Sequence, residues 1–165
     1  MTFRTRLRSI ARRLTAVVAL TVASATVALA QNGKTAVNVD DNGVILKGFD
    51  AVAFHTEMKP TKGSMEFTAT HDGAIYAFAS AANRDTFKAD PAKYAPAFGG
   101  YCAMGVAVGK KLDVDPAAFT VANGKLFLNL NKNVMGTWAK DIAGNNKKAE
   151  MNWSKVAVHR GFDGM

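Results

Sequence analysis

The chain has only one cysteine, Cys102, which excludes a disulfide within one copy of the chain. The sequence patterns of several enzyme classes are also missing. There is no Cys-x-x-Cys pair for disulfide exchange, no paired-carboxylate pattern for glycoside hydrolysis, and no serine in a nucleophile elbow. Packing must therefore stabilise the fold, and hydrolase, glycosidase and disulfide-exchange activities lack their defining groups.

The first 30 residues have no acidic side chain and carry five arginines ahead of an apolar run that ends in Ala28-Leu29-Ala30. This pattern is typical of a secretory signal peptide over 1–30, with cleavage after Ala30. The apolar run is short and diluted by hydroxyl side chains, which favours cleavage over a transmembrane anchor. General secretion and twin-arginine export both stay open. Both predict a periplasmic or secreted protein with no stable membrane anchor after cleavage.

Cleavage would lower the net charge. The full chain has 21 basic and 13 acidic residues, so loss of five arginines leaves 16 basic residues against the same 13. No long basic run, arginine cluster or glycine-rich phosphate loop accompanies the remaining lysines. Nucleic acid is therefore not an expected partner.

The remainder has the length of one domain. Residues 31–43 are polar and aperiodic, which predicts a flexible lead-in. The domain is expected over 44–156, with an extended segment and a turn in 44–54 and a last helix over 147–156. Glycine and charge dominate 157–165, which predicts a loose tail.

Two hairpin-and-helix units follow one another in the sequence. In the first, Asp72-Gly73 separates two short β-compatible runs, Ser80 can cap the helix that follows, and Asp90-Pro91 should end it. In the second, Asn123-Gly124 is the turn and Asn131 the cap. The pattern predicts a small single domain of the α+β class.

The two units are offset by 51 residues, because adding 51 carries Gly73 to Gly124 and Ser80 to Asn131. Two explanations stay open. One is duplication of a segment, and the other is that any two such units share turn, cap and core positions through the same chemistry.

A wider set of residues resembles the signature of the YHS domain family. The core of this set is Tyr76-Ala77-Phe78-Ala79-Ser80, Phe87 and Asp90-Pro91-Ala92-Lys93-Tyr94. Three flanking segments resemble exported bacterial single-domain members: 48–54, 99–103 and 115–119. The resemblance implies a treble-clef-like α+β domain, related to metal-binding modules that accompany copper-transporting pumps and some oxygenase components. The chain departs from the metal-binding members because Ala79 precedes Ser80 and no Cys-x-x-x-Cys follows.

Cys102 and Met104 are the first candidates for a soft-metal site. On an extended backbone their sulfurs would face the same side, and a thiolate with a thioether suits Cu(I). His71, at the first hairpin turn, is the third expected ligand. The other soft or borderline donors earlier in the chain are His55, Met58 and Met65. With the resemblance, these residues predict a non-enzymatic protein that binds copper or another soft metal ion, with a metal-handling or other periplasmic partner. The alternative is that Cys102 and Met104 are core residues.

Two other functions stay open. Cys102 would be the nucleophile of a thiol enzyme, with His55 or His71 as its base. A metal-free module would instead bind a small molecule or a protein in an aromatic cleft. The rings expected to bound that cleft, which can equally form a core, are Tyr94, Phe98, Tyr101 and Trp138. An accessible Cys102 would favour a metal or enzyme role, whereas a thiol that reacts only on unfolding would favour packing.

Overall fold

The computed structural model describes residues 36–158 and Asp163. The predicted signal peptide, 1–30, lies outside the described residues, as do 31–35 of the lead-in and most of the tail. The described part is a small domain of helices and two antiparallel two-stranded sheets, which confirms the coarse prediction of an α+β fold. None of its helices is both long and apolar enough to cross a membrane.

The first hairpin-and-helix unit has the predicted turn and cap. Its elements are α1 (Ala51–Thr56), β1 (Ser64–His71), β2 (Ala74–Phe78) and α2 (Ala81–Ala89). Asp72 and Gly73 both have positive φ, 50° and 82°, as a tight two-residue hairpin turn requires. Ser80 caps α2 because its Oγ accepts a hydrogen bond from the Asn83 amide at 3.1 Å.

A short connector joins the two units. α2 ends at Ala89, before Asp90-Pro91, as predicted. Pro91 then begins α3 (Pro91–Tyr94), a position where the missing amide hydrogen costs nothing. A 3-10 turn at Ala97–Gly100 leads into the second unit.

The second unit repeats the first. Its elements are α4 (Ala103–Ala107), β3 (Asp115–Ala122), β4 (Lys125–Asn129) and α5 (Lys132–Ala139). Thr68 pairs with Ala77 in the first hairpin, and Phe119 pairs with Leu128 in the second, with the register shifting at the same place in both. Asn131 caps α5 by accepting from the Val134 amide at 3.0 Å. The two predicted units are confirmed, and each also includes a short preceding helix that the sequence analysis did not predict.

The segment 44–54 is not an extended run, contrary to the prediction. A 3-10 turn occupies Leu46–Gly48, where Leu46 and Lys47 have positive φ of 57° and 52°. Asp50 then caps α1, and the apolar residues that follow are buried on that helix. The pattern was misassigned because a short buried helix and a short buried strand both produce a run of apolar residues.

The predicted lead-in is in contact with the domain where it is described. Asn38 donates its amide hydrogen to the Gly99 carbonyl at 2.8 Å. The backbone passes so close to Gly99 that a side chain there would collide with the Ala36 carbonyl. The domain therefore starts earlier than the predicted boundary.

The C-terminal region also differs from its prediction. The last helix, α6, spans Ile142–Val158, so it begins before residue 147 and continues into the predicted tail. Farther along, Asp163 accepts a hydrogen bond from the Lys111 amide at 2.7 Å and donates its own amide to the Lys111 carbonyl at 2.8 Å. At these residues the tail is bound to the domain rather than loose.

Two clusters of buried side chains form the core. The first includes Phe54 and Phe87, and the second includes Phe127 and Trp138. Phe54 of α1 meets Phe119 of β3 edge to face, with ring centroids 4.9 Å apart. Because this contact joins elements of both units, the two units share a core.

Candidate functional site

A buried aspartate ties the first unit together. Asp50 has no exposed surface, and its Oδ1 accepts hydrogen bonds from the amides of Val52 and Ala53 at 2.8 and 3.2 Å. Its Oδ2 accepts from the Ala79 amide at 2.8 Å and from Asn83 Nδ2 at 2.7 Å. One carboxylate therefore joins the start of α1 to the end of β2 and to α2.

Cys102 has the corresponding place in the second unit. It is fully buried and caps α4, where its Sγ accepts a hydrogen bond from the Gly105 amide at 3.3 Å. The same Sγ accepts from the Leu130 amide at 3.3 Å, directly after β4, and lies 3.9 Å from Asn129 Oδ1. The thiol thus joins α4 to β4 as the Asp50 carboxylate joins α1 to β2.

The surroundings of Cys102 do not favour a reactive thiolate. Burial raises the pKa of the Cys102 thiol, and the backbone hydrogen bonds from Gly105, Leu130 and Met104 offset only part of this rise. Since the thiolate is both the nucleophile and the metal ligand, a raised pKa disfavours both roles. Met104 lies within α4, so the extended backbone predicted for these residues is wrong. On a helix, positions two apart point about 200° apart.

The third predicted ligand, His71, lies at the tip of the first hairpin. Its Nε2 is 3.4 Å from Asp72 Oδ2, and its ring packs against those of Tyr76 and Phe87. Over 36–158 and Asp163, no group of three or more His, Cys, Asp or Glu side chains is placed to hold a metal ion. The predicted ligand set therefore does not fit a soft metal in this conformation.

The four rings predicted to bound an aromatic cleft belong to different surroundings. Tyr94 packs in the first core cluster, whereas Tyr101 and Trp138 pack in the second, and Trp138 has no exposed surface. Only Phe98 lines the cleft described next. The other three rings are buried because the same apolar surface that suits a ligand also suits the core.

A cleft of about 350 Å³ lies where the tips of both hairpins approach α3, the second 3-10 turn and α6. Phe98 and Trp153 line it, with ring centroids 5.8 Å apart at 65°. Phe98 has a φ of 53°, an unfavourable value for a bulky residue. The surrounding fold thus holds this ring at the cleft against the intrinsic backbone preference.

The polar groups of the cleft are unevenly paired. Lys125 Nζ lies 3.2 Å from Glu150 Oε1, which also accepts a hydrogen bond from Asn146 Nδ2 at 2.9 Å. Asn146 Oδ1 is shielded from solvent, yet no residue that the structure describes donates a hydrogen bond to it. Lys93 has no carboxylate partner in the described ranges, and its Nζ lies 5.1 Å from the centre of the Tyr94 ring. The cleft therefore presents an unpaired acceptor on α6 and an unpaired cation on α3.

A larger groove of about 430 Å³ beside β1 offers less to a ligand. Lys47 Nζ is already paired with Asp113 Oδ2 at 2.6 Å. Lys62 Nζ donates to the Lys47 carbonyl at 2.6 Å and lies over the Phe49 ring. Because its cations are occupied within the domain, this groove is the weaker candidate for a binding site.

His55, another residue considered from the sequence, predicts a pH dependence of stability. Burial, with a smaller effect from Lys93, lowers the pKa of His55. The unfolded chain therefore takes up this proton at a higher pH, near 6.5, than the folded chain does. Stability is expected to be complete above that pH and to decrease as the pH falls below it towards the folded-state pKa. Urea unfolding from pH 7.5 to 5.5 measures this slope.

His55→Gln is the matched variant, because it keeps a polar side chain that does not titrate. Its stability should change less with pH than that of the parent over the same range. A Lys93→Met variant should also reduce the slope, since removing the cation raises the pKa of His55. Parallel pH profiles for the parent and His55→Gln would contradict the assignment.

Several residues of the site were not singled out from the sequence. Asp50 was noted only as an interruption of an apolar run, and Asn146 only as part of a loop. A signal for Asp50 was present, because Gly48-Phe49-Asp50-Ala51 and Gly100-Tyr101-Cys102-Ala103 share their pattern at an offset of 52. That comparison would have paired Asp50 with Cys102.

No family model, curated protein or solved structure matches the chain. The class is therefore defined by the structure: a small α+β domain made of two equivalent helix, hairpin and helix units. Its candidate site is the cleft at the hairpin tips.

Proposed function

We propose that this chain is an exported YHS-type domain that binds a small organic molecule in the cleft and does not act as an enzyme. Three observations support the proposal: the arginine-rich, apolar N-terminal segment, the aromatic and cap residues at YHS-like spacing, and the cleft. A treble-clef-like architecture is part of the same proposal, supported by the hairpin followed by a helix in each unit. N-terminal sequencing of the exported protein tests cleavage after Ala30.

The aromatic lining of the cleft is the observation that carries the proposal. Small-molecule sites have volumes of roughly 300–1,000 Å³, apolar walls and a few polar groups that orient the ligand. This cleft, at about 350 Å³, lies within that range and has Phe98 and Trp153 beside unpaired polar groups. The combination suits one ring-sized molecule.

The chemistry of the cleft supports binding rather than catalysis. Its charged groups largely pair with one another, Lys125 with Glu150 and His71 with Asp72. The one thiol of the chain, Cys102, is buried elsewhere and engaged with backbone amides. A thiol-enzyme mechanism therefore gains no support from this geometry.

Replacing Trp153 with alanine should weaken ligand binding about tenfold or more, because the variant loses most of the aromatic wall. The measurement is titration calorimetry of the mature protein with a panel of neutral, acidic and basic aromatic molecules and their aliphatic counterparts. Trp153→Ala is compared with Met151→Ala on the same helix, where the side chain is 62% exposed. Equal affinities in the two variants, or no binding by any aromatic compound, would contradict the proposed function.

Soft-metal binding stays a prediction. It would require Cys102 to leave the core and give up its hydrogen bonds from Gly105 and Leu130. A Cu(I) competition titration against a chromophoric chelator tests it with the reduced mature protein and Cys102→Ser. Tight binding that is lost in the variant would establish a thiol site, whereas equal competition by both proteins would contradict one.

A further inference from the structure

We propose that the cleft selects an aromatic carboxylate that carries a second hydrogen-bond donor, of the hydroxybenzoate type. This inference rests on the proposed function and names the chemical class of its ligand. It follows from the different groups that α3, the aromatic wall and α6 present to the cleft.

The aromatic wall accounts for the ring of the ligand. Phe98 and Trp153 meet at 65°, so their faces are not stacked on one another. A planar ring can pack against one of them offset or edge to face, which adds about 0.5–1.5 kcal/mol beyond its buried area. An aliphatic ligand of similar size would lose this contribution.

The α3 side of the cleft accounts for the carboxylate. Two lysines line the cleft, but Lys125 is neutralised by Glu150 at 3.2 Å. Lys93 is exposed, and no acidic side chain in the described part of the chain is within ion-pair distance of it. An anion therefore gains most beside Lys93, and the Glu150 carboxylate disfavours the opposite orientation.

The α6 side of the cleft accounts for the second donor. Asn146 Oδ1 is shielded from water without a hydrogen bond from any described residue, and its own Nδ2 is directed to Glu150. A shielded acceptor with no donor is costly, so a ligand that supplies an O–H or N–H gains from filling it. A ligand lacking that donor would leave the acceptor unpaired.

Calorimetry with three matched probes tests the inference: para-hydroxybenzoate, its neutral carboxamide and benzoate. We expect para-hydroxybenzoate to bind about fivefold more tightly than the carboxamide, the size of an exposed ion pair. Benzoate should also bind about fivefold more weakly, because it lacks the donor for Asn146. Lys93→Met should abolish the preference over the carboxamide, and Asn146→Ala the preference over benzoate. Lys88→Met, an exposed lysine on α2 outside the cleft, is the control.

The outcomes separate this inference from the proposed function. Both preferences, each lost only in its own variant, would support the ligand class. Equal affinity for the carboxamide and the acid, unchanged in Lys93→Met, would overturn the class while leaving a cleft that binds aromatic molecules. Failure of all three probes would overturn the class as well, and the wider panel with Trp153→Ala would then decide whether the cleft binds any ligand.

Discussion

Replacing Asp50 with alanine is expected to lower the free energy of unfolding by at least about 3 kcal/mol, with a fall in Tm on the order of 10 °C. The carboxylate accepts four hydrogen bonds within a fully buried site. Its removal leaves the amides of Val52, Ala53 and Ala79 and the Asn83 side chain without this acceptor. Each buried donor left without a partner costs about 1–3 kcal/mol, and a cavity adds to the loss. Urea and thermal unfolding measure the change.

Ser80→Ala is the matched control for this prediction. Ser80 caps α2 in the same unit but accepts only one hydrogen bond, so its loss should cost about 1 kcal/mol. Asp50→Asn should lie between the two, because an amide keeps one acceptor oxygen and turns a donor towards the remaining amides. A loss in Asp50→Ala no larger than in Ser80→Ala would show that the buried carboxylate does not hold the unit together.

Cys102 is expected to react with a thiol reagent at least about a thousandfold more slowly in the folded protein than in denaturant. The side chain has no exposed surface, so modification requires opening of the structure, and the opening equilibrium limits the rate. The raised pKa of the thiol slows any reaction further. The measurement is the rate of colour release from a chromogenic disulfide with and without denaturant.

A variant with an exposed thiol provides the reference for this experiment. Val108 is 58% exposed, so Val108→Cys in a Cys102→Ser background should react rapidly in the folded state. Rapid reaction of native Cys102 would overturn its role as a buried cap and would return the metal and thiol-enzyme hypotheses to the front. It would also permit a disulfide between two copies, which the buried position otherwise disfavours.

The hairpins and their caps were predictable because their causes are local. Asp72-Gly73 and Asn123-Gly124 form the turns through their own backbone preferences, with positive φ at Asp72 and Asn123. Ser80 and Asn131 bond to amides only three residues ahead. Interactions over so few residues leave a pattern that a single sequence displays.

The early helix and the chain ends were mispredicted because their causes are distant. Asp50 holds α1 in place partly through Ala79 and Asn83, which are 29 and 33 residues away. Asn38 finds its backbone partner at Gly99, and Asp163 at Lys111. No local pattern marks such pairs, so an apolar run was taken for an extended segment and ordered residues were assigned to a lead-in and a tail.

The chemical repertoire of this protein follows from its composition. One cysteine, a cleavable-looking leader and two turn-and-cap patterns already imply an undivided α+β domain whose stability depends on packing. Packing alone decided which side chains remain available for function. It buried Cys102 and Trp138, and it left Phe98 beside Trp153 at a cleft. The reason is physical: burial and proximity depend on contacts between residues far apart in the chain, whereas the residue types state only which contacts are chemically favourable.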